Sequence, residues 1–487
     1  MRAFTVFFLI AFVLRAPWLG DPLFHADEQF YLLMGDQLWH GVVPYIDLWD
    51  RKPLGLFLIY GAATALPVNA VITYQLMSIV SAAATAAIMA RCARHIAGPR
   101  GATLAGLAYL IYLMAFNCGM GQAPVFYDLP MMMAGLLTIN ALADAAGAAP
   151  VPAKRLLGQG CGAMALVGIA LQIKTSVVIE GMGFGVMLLW AARRAGWRWP
   201  GLAGAAAAWI ALAWLPTAAT FAFYAAHGQA TAFFAANVLS IFGRGQDWGE
   251  ASFRLAKVLL ALSPFYLAIA LSWRIAPRGP AAIMVRRGLA VWLGLAVVGF
   301  LAPGTWYDHY VAPVLMPLAM LAAPAFDGTC RPTGLMRRAL FFVGLCAGLG
   351  ATAVQAHKFG TSTDLDEAAD VIRPHIDRAH CLYVYEGDSA LYRATGSCLP
   401  TRFAFPAHLS TWFEQEALGI DARAEVQRIM AARPGAVVID ESPRPYAPNL
   451  QTRAVVLDAL ARDYRRIRTL RLGTRAFGLY AWRYRRG

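Results

Sequence analysis

The chain has 487 residues, of which 59% are hydrophobic and 14% charged, and its mean hydropathy is +0.51. Soluble domains carry about 25% charged residues, so this composition points to a multi-spanning membrane protein, and helices rich in Ala, Leu, Gly and Trp argue against a membrane β-barrel. The net charge of +14 sits in short loops between apolar runs, a pattern of topology signals and attraction to membrane lipids rather than of nucleic-acid binding.

In chain order, Arg2 precedes a first apolar segment over about 3–19. No A-x-A cleavage signal follows it, so it reads as an uncleaved anchor rather than a signal peptide. A polar run begins at once, His25 to Pro53: HADEQFYLLMGDQLWHGVVPYIDLWDRKP. It holds Asp27, Glu28, Asp36, Asp47 and Asp50, then Arg51 and Lys52, in a chain with only 28 Asp+Glu. The apolar piece Leu54–Pro67 is short for a span and ends in proline, so it reads as a helix at the membrane interface or re-entering it. Further spans are expected over 69–90, 101–117, 128–147, 159–173, 176–192, 201–225, 255–273, 288–303, 309–325 and 339–356. The predicted fold class is therefore a multi-spanning α-helical membrane protein of about eleven spans.

Basic residues orient these spans. Arg2, then Arg91, Arg94 and Arg100, Lys154 and Arg155, Arg193, Arg194 and Arg198, Arg274, Arg278, Arg286 and Arg287, and Arg331, Arg337 and Arg338 occupy alternate loops. The positive-inside rule assigns them to the cytoplasm, with the N-terminus inside and the C-terminus outside. The acidic run 25–53, the segment 118–127, Lys174, the loop 226–253 and 304–308 then face out.

The composition changes after His357, which divides the chain into 1–357, a membrane domain whose external loop 20–68 carries the acids, and 358–487, a polar external domain. In the second, Ser362-Thr363-Asp364 is expected to cap a helix with Glu367 in its first turn. Cys381–Tyr385 and Ala436–Asp440 read as buried strands, Leu450–Tyr464 as a helix, and Arg465–Leu470 and Phe477–Tyr484 as strands. This is a small α/β domain. Cys92, Cys118, Cys161, Cys330 and Cys346 lie in or beside apolar segments without a CxxC. Cys381 and Cys398 are either a disulfide, if outside, or two thiols.

Asp27 and Glu28 fall a few residues past the end of the first span. Carboxylates at such a boundary are costly unless paired or functional, and two adjacent ones suit a general base and its orienting partner. The competing reading is a solvated acidic loop.

The run HADEQFY resembles the DExxY motif of the GT-C glycosyltransferases, in the branch of the dolichyl-phosphate-mannose–protein mannosyltransferases and the bacterial aminoarabinose transferases. VPYIDLWDRKPLGLFLIYG is similar to that family's aspartate-then-KPP segment, with Lys-Pro-Leu in place of Lys-Pro-Pro. GMGQAPVFYDLP, LVGIALQIKTS, YDHYVAPVLMPLAML and VYEGDSALYRATGSCLPTRFAFP resemble further blocks, in family order over most of the chain. The resemblance implies an inverting glycosyltransferase that uses a sugar on a polyprenyl phosphate at the external face of a bacterial inner membrane, the C-terminal domain being periplasmic. Its partners would be that donor, an acceptor glycan, lipid or protein, and membrane lipids. It implies Asp27 as general base, with Glu28 orienting it or contacting the acceptor, and Lys52 as the counter-charge of the lipid phosphate. Tyr31, the last residue of the motif, and Asp50 would meet sugar or acceptor. Asp128 matches the family's second acidic position, a sugar or acceptor contact, against the alternative of a helix cap at the membrane boundary. Lys174 reaches lipid phosphate or Asp128, or snorkels. His309 and Tyr310, where relatives carry Arg-Tyr, are phosphate ligands, or else structural groups of an aromatic belt.

Arg15 snorkels or pairs with Asp27 or Asp128, and Arg244 could meet a headgroup or phosphate. Asp364-Leu365-Asp366 spells the DxD metal motif of nucleotide-sugar transferases, but its place at a helix start makes it a cap. No Walker A and no GxGxxG after a strand is present. No metal ligand set is named and no cofactor is expected, with a divalent cation left open. A transporter or flippase of a lipid-linked substrate is the alternative, but it would carry polar residues at the midplane of repeated, broken spans.

Overall fold

The computed structural model describes residues 2–147, 149–328, 331–441 and 447–483. Every expected span is helical. Among the described residues, seven helices are long and apolar enough to cross a membrane, or eight if Trp248–Ala261 and Ser263–Trp273, bent by 46° at their break, form one span. The helices Arg2–Arg15, Pro99–Ala115 and Ala153–Leu171 at the other expected positions are shorter or more polar. The chain is an integral membrane protein. The apolar piece after Pro53 forms Leu54–Thr64, an 11-residue helix about 16 Å long at 1.5 Å per residue, too short to cross a hydrocarbon core.

Two compact units interleave along the chain. One takes the residues up to Pro17, Gln75–Thr220 and Asp247–Thr352, and the other Trp18–Tyr74, Phe221–Gln246 and the residues from Ala353 onward.

The first unit is a helical bundle that packs through small residues, as membrane helices do for want of a hydrophobic drive between them. Helix Ala123–Ala146 packs against Ala153–Leu171, and Pro99–Ala115 against Ala312–Asp327. A Cβ added to Gly135 would stand 2.5 Å from the Trp292 ring. That glycine admits an indole whose Nε1 donates to the buried carboxylate of Glu180. Arg15 is fully buried and its Nη1 donates to the Ala11 carbonyl at 3.3 Å. It does not snorkel, because its helix Arg2–Arg15 buries the guanidinium among neighbouring side chains rather than leading it to an aqueous edge.

The second unit is built on a four-stranded sheet of order β1-β2-β4-β3, with β1 Leu382–Val384, β2 Ala436–Asp440, β3 Tyr464–Leu472 and β4 Arg475–Trp482. The strand β1 is parallel to β2, and β4 is antiparallel to both β2 and β3. The strand β3 is a sheet edge and carries Arg465, Arg466, Arg468 and Arg471, charges that discourage pairing with another chain. The β3–β4 turn uses Gly473 at φ 60, packed so near Gly360 that a Cβ on the latter would stand 2.4 Å from the Gly473 nitrogen. The expected strand end at Tyr484 lies outside the described residues, as does Cys330. Cys381 and Cys398 form a disulfide.

The expected cap at Ser362-Thr363-Asp364 shifts by one residue. Helix Ser362–Ile372 is capped by Thr361, with Asp364 closing a capping box back onto the Thr361 N–H at 2.7 Å. Glu367 falls beyond the first turn. An aspartate at the third helical position reaches back to the cap nitrogen, while a serine at the first position cannot serve the donors that follow it.

Candidate active site

In the second unit the acidic run folds as a helix, a turn and a second helix. The helix Ala26–Leu38 begins at His25, whose Nδ1 accepts the Asp27 N–H at 3.3 Å. Asp27 and Glu28 occupy its first turn, where carboxylates meet the positive end of the helix dipole. Asp27 is half-buried, and Glu28 is fully buried. Gly35 lies against Gly61 of helix Leu54–Thr64 so closely that a Cβ on Gly35 would stand 2.5 Å from the Gly61 nitrogen. Trp39 Nε1 donates to the Gly61 carbonyl at 2.9 Å.

The turn between these helices brings Asp50 and Lys52 back toward the first one. Tyr45, at φ 70, donates its N–H to the Leu48 carbonyl at 2.7 Å and its hydroxyl to the Lys52 carbonyl at 2.9 Å. Lys52 Nζ sits 5.5 Å from the centre of the Tyr31 ring, a cation over an aromatic face. Asp50 is buried, and burial raises its pKa, with Asp27 adding to the rise and Lys52 and Arg51 opposing it. Burial lowers the pKa of His25, against the charges of Asp27 and Asp388. Asp27, Asp50, Lys52, His25 and Asp388 are thus one electrostatic cluster. Tyr60 lies within reach of both Glu28 and Asp27.

The other two acids of the run have structural partners. Asp47 accepts the Val43 N–H at 2.8 Å, and Asp36 faces Arg393 Nε at 3.8 Å. Arg51 pairs with Glu414, and so does Arg244, at 3.0 Å from its Nε. Arg244 therefore meets a carboxylate where a headgroup or phosphate contact was expected.

In the first unit, Asp128 lies five residues into helix Ala123–Ala146, whose N-cap is Gln122. It is not a cap. It is fully buried, accepts the Tyr109 hydroxyl at 2.8 Å through Oδ2, and its Oδ1 has no hydrogen-bond partner among the described residues. Lys174 occupies the break between helices Ala153–Leu171 and Val178–Arg194, and its Nζ lies 4.7 Å from the Tyr310 ring centre. The His309 ring meets that of Tyr310 edge-on at 4.7 Å, in the turn Asp308–Val311. Asp308 anchors this turn by accepting from Lys257 Nζ at 2.6 Å and Asn117 Nδ2 at 3.2 Å. Lys174, His309 and Tyr310 are thus brought together, with Arg254 over the neighbouring Tyr307 ring.

Four residues of these sites were not picked out from the sequence: His25, Asp388, Glu414 and Glu180. Asp388 lies within VYEGDSALYRATG, a block noted for its resemblance but not for its acid. It is fully buried, its Oδ1 accepts the Ala390 N–H, and Arg475 lies 3.9 Å away. Glu180 is a lone acid in an apolar run, a signal of the kind that did mark Lys174. Among the described residues no group of three or more His, Cys, Asp or Glu side chains is placed to share a metal ion.

The backbone matches solved membrane enzymes from end to end. ArnT from Cupriavidus metallidurans bound to undecaprenyl phosphate is similar at 14% identity and a TM-score of 0.64, over 98% of this chain and 97% of that one. The chain has the GT-C fold. The same ArnT in its apo state matches at a TM-score of 0.60 over the same shares. The archaeal oligosaccharyltransferase AglB from Archaeoglobus fulgidus, in complex with an inhibitory peptide and a dolichol-phosphate, matches at 11% identity and a TM-score of 0.55, over 90% of this chain and 69% of that one. No family model and no curated protein sequence matches the chain. The GT-C fold is thus recognisable here through geometry and short motifs.

Proposed function

We propose that the chain is an inverting glycosyltransferase that moves a sugar from a polyprenyl-phosphate donor to an acceptor at the external face of the membrane. The observation that carries this reading is the electrostatic cluster of Asp27, in the first turn of one capped helix, with Asp50 and Lys52 of the turn that folds back toward that helix. It places a carboxylate and a cation together, as attack on a phosphate-linked sugar needs. The likeness in fold to ArnT bound to undecaprenyl phosphate supports the same donor class.

In the proposed step the acceptor hydroxyl attacks the anomeric carbon. Its proton passes to the Asp27 carboxylate, the bond from carbon to acceptor oxygen forms, and the bond from carbon to phosphate oxygen breaks with its electron pair leaving on the polyprenyl phosphate. Glu28 orients Asp27 or contacts the acceptor. Lys52 neutralises the leaving phosphate, and in the first unit Lys174, His309 and Tyr310 form a set with the charge and donors to bind a phosphate. Asp128, Tyr31 and Asp50 contact sugar or acceptor. None of these roles calls for a metal ion, and a divalent cation stays open.

The basic loops support an N-terminus in the cytoplasm of a bacterial inner membrane. The Cys381–Cys398 bond supports a periplasmic, oxidising location for 358–487, read as an external domain beside a catalytic membrane domain over 1–357. The test is turnover of polyprenyl-phosphate sugars by the purified full chain, read by mass spectrometry as released polyprenyl phosphate and glycosylated acceptor. Asp27→Asn is expected to abolish product while leaving membrane insertion intact. Near-normal turnover in that variant overturns the assignment. Movement of donor across vesicles without transfer would instead favour a flippase.

A further inference from the structure

We propose that the first unit carries a site for one anionic phospholipid, in a groove separate from every residue given a catalytic or substrate-binding role above. A cavity of about 590 Å³ is lined by Pro99, Arg100, Thr103, Leu104, Arg337, Arg338 and Phe341. It lies where the N-terminal turn of helix Pro99–Ala115 meets the N-terminal part of helix Arg331–Phe359. Arg100 and Arg338 are exposed, and both lie within electrostatic reach of the half-buried Arg337. Arg337 Nη1 donates to the carbonyls of Phe326 at 2.9 Å and Gly328 at 3.2 Å, which fixes the guanidinium at the cavity wall.

Three cations held around one space repel one another unless an anion joins them. The nearby carboxylate, Asp327, does not serve this purpose. Its two oxygens accept the backbone N–H groups of Gly98 and Gly101, at the start of helix Pro99–Ala115. A free inorganic anion would satisfy the charges but not the rest of the groove, which includes the apolar side chains of Leu104 and Phe341. Beyond the cavity, toward its C-terminal end, the helix Arg331–Phe359 exposes Phe342 and Leu349, at 69% and 55% of their surfaces. A ligand with a phosphodiester headgroup and acyl chains matches both parts: the headgroup among the three arginines, the chains along that apolar stripe. The same loops are those the charge pattern assigns to the cytoplasm, where anionic lipids concentrate.

The test is native mass spectrometry of the full chain in mild detergent, titrated with phosphatidylglycerol or with phosphatidylethanolamine of equal chain length. The expected result is retention of phosphatidylglycerol in preference to phosphatidylethanolamine. Arg100→Gln/Arg338→Gln should reduce that adduct about 30-fold. Arg278→Gln/Arg287→Gln, which alters two exposed arginines outside the groove, should leave it unchanged. The single variant Arg338→Gln, at an exposed side chain, should give an intermediate loss and covers the case in which the double variant is unstable. Equal loss in the groove and control pairs, absence of a preference between the two lipids, or displacement of the adduct by millimolar inorganic phosphate would each overturn the proposal.

Discussion

Arg51 and Glu414 form a two-pronged ion pair across 363 positions of sequence, with Nη1 at 3.0 Å from Oε1 and Nη2 on Oε2. Glu414 is only 3% exposed and also takes Arg244, so one buried carboxylate holds the residue before Lys52 and a residue of the loop 226–253. Trp49 extends the same junction, with its N–H on the Arg402 carbonyl at 2.8 Å and its ring 4.7 Å from that of His408.

Removing the shared carboxylate leaves two arginines without compensation. Glu414→Ala is expected to lower stability by about 3 kcal/mol, as breaking buried pairs does. Thermal unfolding of the purified protein at pH 7 checks this. Turnover should fall as well, because the segment carrying Asp50 and Lys52 loses its anchor.

The same pair predicts an acid limb. Burial alone would raise the Glu414 pKa, but Arg51 and Arg244 outweigh it and bring it from the ordinary 4.5 to about 2. A carboxylate with a depressed folded pKa contributes stability that is complete above pH 4.5 and lost as pH falls toward 2. Burial lowers His408 from 6.5 to about 3, so its neutral form is favoured in the fold. That contribution is complete above pH 6.5 and erodes between 6.5 and 3. Melting temperatures from pH 7 to pH 4 should therefore decline, and His408→Phe should flatten the part between 6.5 and 4.5. An unchanged slope in that variant refutes the assignment. His25, also lowered by burial, should leave a residual slope.

Lys52→Met is expected to lower kcat by about 100-fold, the usual effect of losing one donor to a leaving oxyanion. Lys52→Arg keeps the charge and the contact with the Tyr31 ring, so it should retain more activity than Met. Equal loss in both variants would assign Lys52 a packing role only.

Gly35→Val places a branched side chain where even a Cβ alone would stand 2.5 Å from the Gly61 nitrogen. Because backbone rather than a mobile side chain is in the way, helices Ala26–Leu38 and Leu54–Thr64 must separate. A loss of about 3 kcal/mol or more is expected, at the upper end of overpacking costs. Gly41→Ala offers a control with nothing within 4 Å of the added Cβ, although its φ of +81 adds strain. Comparison of the two unfolding midpoints separates collision from backbone strain.

Reduction of Cys381–Cys398 opens a loop of sequence separation 17, which is worth about 3 kcal/mol in the chain-entropy account. Cys381→Ser/Cys398→Ser should melt lower than the oxidised protein by that amount, and reductant should reproduce the shift without altering the double variant.

Much of the helical architecture was legible because it rests on local properties. An apolar run, a basic loop and a proline after Thr64 carry their meaning wherever the chain folds, and β2 is found at its expected bounds, Ala436–Asp440. Asp27 and Glu28 stood out for a related reason: two acids directly after an apolar segment are conspicuous in a chain with few acids. Glu414 and Asp388 did not, since each sits in an ordinary polar stretch and acquires its meaning from an arginine elsewhere. For Arg15 the snorkelling alternative fails: sequence places it near a helix end but does not say what covers it.

The sequence by itself determined that this is a helical membrane protein with an acidic loop after its first segment, because hydrophobic length and charge alternation act residue by residue. Only the tertiary structure decided which charges answer which. Arg51 and Arg244 meet at Glu414, Asp36 faces Arg393, Asp388 faces Arg475 and Trp292 binds Glu180. A buried charge must find a partner, but many arginines could serve, and the choice is made by packing between segments far apart in the chain.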